Sequence, residues 1–285
     1  MPDAMARDMG IRKGEIHINT AQEPATVKVV EKSPEVMILR VPPVRNVWYN
    51  LAPHHAQFKD IRVRQAIMYY GLNRKEIADT VFGGLAEPQA SWVPIGSPYY
   101  TPYPEFLEYD PEKAKYLLKE AGFEGLEFSL TFPTRYAVTQ DIATVMKTQY
   151  EKIGVKMNIN IVDFAAFIRG INHPNGMAFE ASMNVAASKI DPGVIKPYLT
   201  HNKKNWNRYY NDEIEKLFDE LDATSDRAER KKLYARLFKI HGDQAMWGSI
   251  TSFPVMKAIR KEVQNYKDPA NMFTKLDGVW LKKKA

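Results

Sequence analysis

The stretch from Phe58 to Gly84, FKDIRVRQAIMYYGLNRKEIADTVFGG, decides how the rest of the chain is read. It predicts two helices in succession. Ile61, Gln65, Met68 and Leu72 fall on one helical stripe, with Ala66, Ile67 and Tyr70 beside it. That i, i+3/i+4, i+7 spacing belongs to a helix facing a core. Gly71 stops the first helix. Asn73 is positioned to cap the second, with Glu76 in its first turn, where the helix dipole favours negative charge. Gly83-Gly84 ends it at positive φ, a conformation glycine adopts at little cost.

Downstream, prolines at 88, 94, 98, 102 and 104 break up residues 85–110, yet Trp92 and several other aromatics lie among them. The segment is too apolar for a linker and is expected to be an ordered loop. Asp110-Pro111-Glu112 opens a helix with Asp as cap and Pro in the first turn. Ala114, Leu117, Leu118 and Ala121 form its buried stripe, and Gly122 ends it. Leu126–Phe132 alternates as a strand, Thr139–Ile153 is amphipathic through Ile142, Val145, Met146 and Tyr150, and 155–162 is a second strand. This βαβ unit predicts a parallel pair with a right-handed crossover. A short helix (Asp163–Ile171) and a strand (Ala178–Asn184) follow. Caps at Asn211 and Ser225-Asp226 then open two helices that form a hairpin, with Leu233, Leu237 and Ile240 inward. Ser249–Phe253, Val255–Ile259 and Gly278–Leu281 read as strands.

Upstream, Glu15–Asn19, Thr26–Val30 and Val36–Val41 read as strands from their alternation, the last broken by Pro42-Pro43. Asn46–Asn50 is a fourth candidate.

The chain has 285 residues, no cysteine and a net charge of +6. Without cysteine there is neither a disulfide framework nor thiolate chemistry. The 40 basic and 34 acidic residues are well mixed. No basic stripe is interleaved with stacking aromatics, so nucleic acid is not an expected partner. No apolar run is long enough to span a bilayer, and the first residues form no signal peptide. No phosphate loop, His-Glu-x-x-His or Gly-x-Ser-x-Gly motif occurs, and no catalytic set, cofactor site or metal site is expected. His54 and His55, taken as adjacent residues of an extended segment, should point to opposite faces and chelate nothing together.

Three motifs carry a family resemblance: Phe-x-Asp-x-Arg-Val-Arg-Gln-Ala (58–66) with Asn-Arg-x-x-Ile and Gly-Gly behind it; Tyr-Asp-Pro-Glu-Lys-Ala-Lys-Tyr-Leu-Leu-Lys-Glu-Ala-Gly-Phe (109–123); and Ile153-Gly154-Val155 between a helix and a strand. The chain resembles, in order and over nearly its whole length, the extracytoplasmic solute-binding proteins of dipeptide, oligopeptide, opine and nickel ABC importers. The resemblance implies an α/β fold, a type II periplasmic-binding-protein-like lobe whose mixed sheet is flanked by helices. It implies a second lobe over 56–250, with first-lobe remnant and hinge strands at 1–55 and return strands at 251–285. On this reading the chain corresponds to about the C-terminal half of a full-length member, and it should hold solute weakly by itself. The implied function is non-catalytic capture of a peptide, opine or metal chelate outside the cytoplasm and delivery to ABC permease subunits. An α/β hydrolase, or an interaction module using exposed strand edges, is the alternative.

The family's cleft loop often reads Trp-x-x-Asp before Asp-Pro, its Asp pairing with a peptide's α-ammonium. Here the passage is Val185-Ala-Ala-Ser188-Lys189-Ile-Asp191-Pro192. Ser188 carries no charge, so a free-amine peptide is disfavoured and a neutral, N-blocked or anionic solute fits better. Lys189 would favour an anion if it faced the cleft; the alternative is a solvated lysine. Arg135, at the C-terminal end of a strand, is placed to hold a carboxylate, with Tyr136 stacking beside it; the alternative is a surface arginine. Trp206 either lines the cleft or packs structurally. Trp247 and Trp280 read as core.

Overall fold

The computed structural model describes residues 4–20, 22–187, 191–202, 204–267 and 275–282. In chain order it begins with helix α1 (Ala4–Lys13), strand β1 (Ile18–Asn19), a single turn α2 (Val27–Val30) and the long strand β2 (Val36–Leu51). Helices α3 (Ile61–Gln65) and α4 (Arg74–Phe82), strand β3 (Glu87–Pro88) and helix α5 (Pro111–Glu120) follow. The βαβ unit is β4 (Glu127–Pro133), α6 (Ala137–Glu151) and β5 (Lys156–Val162), and α7 (Phe164–Ile171) and β6 (Ala181–Ala187) come next. After the short α8 (Lys196–Leu199) come the hairpin α9 (Asp212–Ala223) and α10 (Arg227–Asp243), the long strand β7 (Trp247–Arg260), and a small pair, β8 (Val263–Gln264) and β9 (Trp280–Leu281).

The main sheet has the order β1-β7-β2-β6-β4-β5, with β3 also on β7. β4 pairs in parallel with β5 and β6, whereas β2 runs antiparallel to both β6 and β7. The sheet is therefore mixed, as expected. One large apolar cluster fills the space between this sheet and its helices. A second, small cluster of Ile11, Val30, Val36 and Ala258 lies where α1 and α2 meet the far ends of β2 and β7.

The deciding stretch folds as two capped helices. Asp60 caps α3, Asn73 accepts from the Glu76 amide at 3.0 Å, and Gly83 ends α4 at φ +59°. The first helix departs from a straight 3.6-residue stripe. It widens into a π turn over Ala66–Tyr70, and the Gly71 amide donates five residues back to Ala66 O at 2.7 Å. The extra residue per turn rotates the face inward, so Ala66, Ile67, Met68 and Tyr69 are all buried. A Cβ on Gly71 would meet Ala66 O at 2.8 Å and Ile153 Cδ1 at 2.7 Å, which is why the turn closes on glycine.

Both buried arginines of this stretch serve backbone carbonyls. Arg64 donates to Phe58 O, Lys59 O and Gln244 O. Arg74 donates to Met68 O and Ser249 O, and burial pushes its guanidinium down to about 10.

Several expected strands differ. Residues 26–30 are not a strand: Val27 and Val30 are buried at i, i+3 while Val29 is exposed, so α2 is helical. Only Ile18–Asn19 of the 15–19 run is paired, and α1 precedes it. The strands expected at 36–41 and 46–50 are one strand, as are those at 249–253 and 255–259. Neither strand ends at Pro42-Pro43 or Pro254; the register of the pair shifts there instead. β6 begins three residues later than expected, because Met177 N and Ala178 N are bonded to Trp206 O and Gly170 O instead of a sheet partner. Trp280 is 56% exposed and is not core; Trp247 is buried.

Candidate functional site

The two long strands, β2 and β7, pair along most of their length but change register part-way. Pairing of β2 with β7 runs from Val36↔Arg260 to Val41↔Val255 and resumes at Arg45↔Phe253. Between these pairs three residues of β2 (42–44) stand against Pro254 of β7, a bulge-like shift of register of the kind proline favours because it has no N–H to give.

A notch of about 60 Å³ opens beside this shift. Gln22, Glu23 and Pro24, ahead of α2, line one wall, residues 135–138 at the start of α6 line another, and Arg45, Val185 and Phe253 of the strands line the rest.

The first wall is fixed by hydrogen bonds. Gln22 N donates to Met256 O at 3.1 Å, and its side chain receives from Asn19 Nδ2 and donates to Thr26 Oγ1. Burial pushes the Glu23 carboxyl up, and Arg7 and Arg45 act against that. Arg7 Nη2 lies 3.9 Å from it. On the other wall the Arg135 guanidinium sits 4.8 Å from the Phe164 ring centre and 5.4 Å from that of Tyr136. Tyr136 is the N-cap residue of α6 and supplies no side-chain cap, so the positive end of that helix faces the notch. Among the described residues, neither Arg45 nor Arg135 forms an ion pair.

Three expected site residues, Arg135, Tyr136 and Val185, are brought together here. Val185 lies inside β6, paired with Val47, and not in a loop after the strand. Ser188 and Lys189 lie outside the described residues. Asp191 does not line the notch. It receives hydrogen bonds from Arg230 Nη2 at 2.8 Å, Tyr234 OH at 2.5 Å and the Gly193 amide at 2.8 Å. Burial acts against its charged form, but the bonds from Tyr234, Gly193 and Arg230 outweigh that and hold the carboxyl below its ordinary range. Trp206 is likewise taken up by packing, 5.7 Å from Trp48, 5.5 Å from Trp247 and 4.5 Å from Tyr198 between ring centres. Its Nε1 donates to Asn172 Oδ1.

Glu23 and Arg45 were not expected. Glu23 falls between two runs read as strands, and Arg45 follows a proline pair read as a break. The readable signal was the prolines themselves, on two segments destined to pair. The histidine expectation is corrected as well. His54 and His55 lie in a turn, their rings 4.7 Å apart, and both Nε2 atoms approach Met177 O, at 2.8 and 3.3 Å. Among the described residues no group of three or more His, Asp or Glu side chains is placed to hold a metal ion. None of their helices is long and apolar enough to cross a membrane.

Residues 1–210 match the family described as bacterial extracellular solute-binding proteins, family 5 Middle. Oligopeptide-binding protein AppA of Bacillus subtilis (strain 168) is 30% identical over 268 residues, 86% of this chain and 48% of that protein. The dipeptide-binding protein of Escherichia coli (strain K12) is 24% identical over 275 residues, 93% of this chain and 51% of that protein. The chain thus spans about half the length of the curated relatives it matches. The solved structure of AppA from Bacillus subtilis in complex with a nonapeptide superposes with a TM-score of 0.85 at 25% identity, covering 99% of this chain and 59% of that one.

Proposed function

Because the chain belongs to the family 5 bacterial extracellular solute-binding proteins, we propose that it captures a small polar solute at the notch between Glu23 and Arg135 and hands it to an ABC permease. Capture takes place outside the cytoplasm and involves no bond making or breaking. The solute is peptide-like, an opine or a metal chelate.

One observation carries this reading. The notch is lined by the segment before α2 and the start of α6, beside the level where the register of β2 and β7 shifts. In a two-lobed binder the crossing strands are the hinge, and a bulge-like register shift is a place where they can bend. Lobe boundaries are proposed near residues 55 and 250; the packing changes partway along the crossing strands, since Val36 and Ala258 belong to the small cluster while Val47, Leu51, Ile250 and Phe253 belong to the large one. Arg135, Tyr136 and Val185 are the contacts proposed for the solute. A notch of 60 Å³ is far below the roughly 300–1,000 Å³ of a complete small-molecule site, so it takes one end of the solute only.

The test is a thermal melt of the full chain against millimolar free and N-acetylated peptides, opine-like sugar phosphates and nickel chelates. A ligand of the native state raises the midpoint by mass action. A shift confined to one chemical class, reduced by Arg135→Gln, is the expected result. Turnover of a peptide or ester with no shift from any intact solute would overturn it.

A further inference from the structure

Arg74 is 2% exposed, and the groups that act on its charge are the hydroxyls of Tyr69, Tyr150 and Tyr49, with no carboxylate among them. Its Nε donates to Ser249 O at 3.1 Å and its Nη2 to Met68 O at 2.7 Å. Among the described residues its Nη1 has no hydrogen-bond partner. The hydroxyl of Ser249, the residue whose carbonyl Arg74 holds, is equally buried and equally without a partner among them. Tyr49 stands on the neighbouring strand, opposite Gly248. Its hydroxyl is a long 3.5 Å from that of Tyr150, whose one proton is donated to Ile67 O at 3.0 Å. The nearby acceptors Ile67 O, Met68 O and Ser249 O are thus each engaged. What remains is an N–H edge and two hydroxyls, enclosed around a positive charge.

We propose that Arg74, Ser249 and Tyr49 hold one small monovalent anion of the chloride class, sealed between the π turn and β7. A buried cation without a counter-charge is strongly destabilising. A water molecule at Nη1 would use the spare donors and leave the charge unbalanced; a halide ion does both, through charge-assisted hydrogen bonds. Arg74, Ser249, Tyr49 and Tyr150 are each at most 2% exposed, so the site is closed to a solute and shares no lining residue with the notch. Ser249 lies where β7 shifts register a second time, between Val47↔Thr251 and Trp48↔Ser249. The ion therefore pins the deciding helical stretch to an irregular point of the long strands.

The test uses the full chain in two measurements. Crystals of chain exchanged at length into sodium bromide are measured at the bromine absorption edge, where an anomalous peak is expected within hydrogen-bonding reach of Arg74 Nη1. Thermal melts are run at constant ionic strength with gluconate replaced stepwise by chloride. The midpoint is expected to rise by about 2–3 °C for each tenfold of chloride above the dissociation constant. Ser249→Ala removes one donor and should move the half-effect to about tenfold higher chloride. Arg74→Met should abolish the chloride response. A water molecule beside Nη1 and no bromide peak there overturns the inference, whether or not Arg74→Met folds. A chloride response identical in the native chain and in Ser249→Ala overturns it as well, and neither result touches solute capture at the notch.

Discussion

Arg64 Nε donates to the carbonyl of Gln244 at 2.9 Å, joining the start of the deciding stretch to the end of the helical hairpin. The same side chain satisfies Phe58 O and Lys59 O at 2.8 Å each. One guanidinium therefore ties together three carbonyls from two segments far apart in the chain.

Replacing Arg64 by Met should cost about 3 kcal/mol, because the buried carbonyls lose charge-assisted bonds and gain nothing. Urea unfolding of the variant should show a lower midpoint at unchanged slope. Lys in its place has one charged tip and cannot reach both sides, so it should recover less than half.

Gly71 and Gly83 are both glycines for structural reasons, but different ones. Gly71→Ala forces a methyl against a backbone carbonyl and a core side chain, and should cost about 2–3 kcal/mol. Gly83→Ala meets only a lysine side chain and pays for its left-handed φ, about 1 kcal/mol. Thermal midpoints of the two variants should fall in that order; the reverse order would remove the steric account of the π turn.

His241 is buried, and burial alone pushes its imidazole down to about 4. The unfolded chain takes up a proton near the ordinary value of about 6.5 that the native state refuses. Its contribution is therefore full above that value and is lost as the pH falls towards 4. Between pH 7 and pH 5 this amounts to about 2 kcal/mol. Unfolding free energies at the two values should differ by that much more for the native chain than for His241→Gln. An identical pH dependence in the variant would assign the loss to other groups.

Trp206→Ala and Arg135→Gln separate packing from binding. The tryptophan lies within an aromatic cluster with Trp48, Tyr198 and Trp247, and its loss should cost about 2 kcal/mol. The arginine is exposed and should cost less than about 0.5 kcal/mol. Solute response should behave oppositely: retained by Trp206→Ala at a temperature where it is folded, reduced in Arg135→Gln.

Much of the helical architecture was legible because its signals are local. The caps at Asn73, Asp110, Asn211 and Asp226 each accept a bond from an amide two or three residues on, and the reading named them all. The βαβ unit was legible for the same reason, since period and length change together at each boundary. The strands of the first 55 residues were less so. The three valines and one lysine of residues 27–30 fit a strand or a single helical turn equally, and only the burial of Val27 with Val30 distinguishes them.

The candidate site was half legible. Arg135 and Tyr136 follow from their place at the end of a strand. Arg45 and Glu23 do not, because their role depends on where a strand register puts them. Asp191 shows the converse: the residue type matched the resemblance, but Tyr234 and Arg230 had already claimed its oxygens.

The sequence by itself determined the helices from residue 58 to 171 and the hairpin of α9 and α10, the parallel unit and the family, since these depend on spacing, capping and glycine placed within a few residues of one another. The tertiary structure alone decided the π turn, the register shift between β2 and β7, and the meeting of Glu23, Arg45 and Arg135. Those features arise when distant segments compete for the same hydrogen bonds and the same buried space. That competition is settled only once all of them are in place.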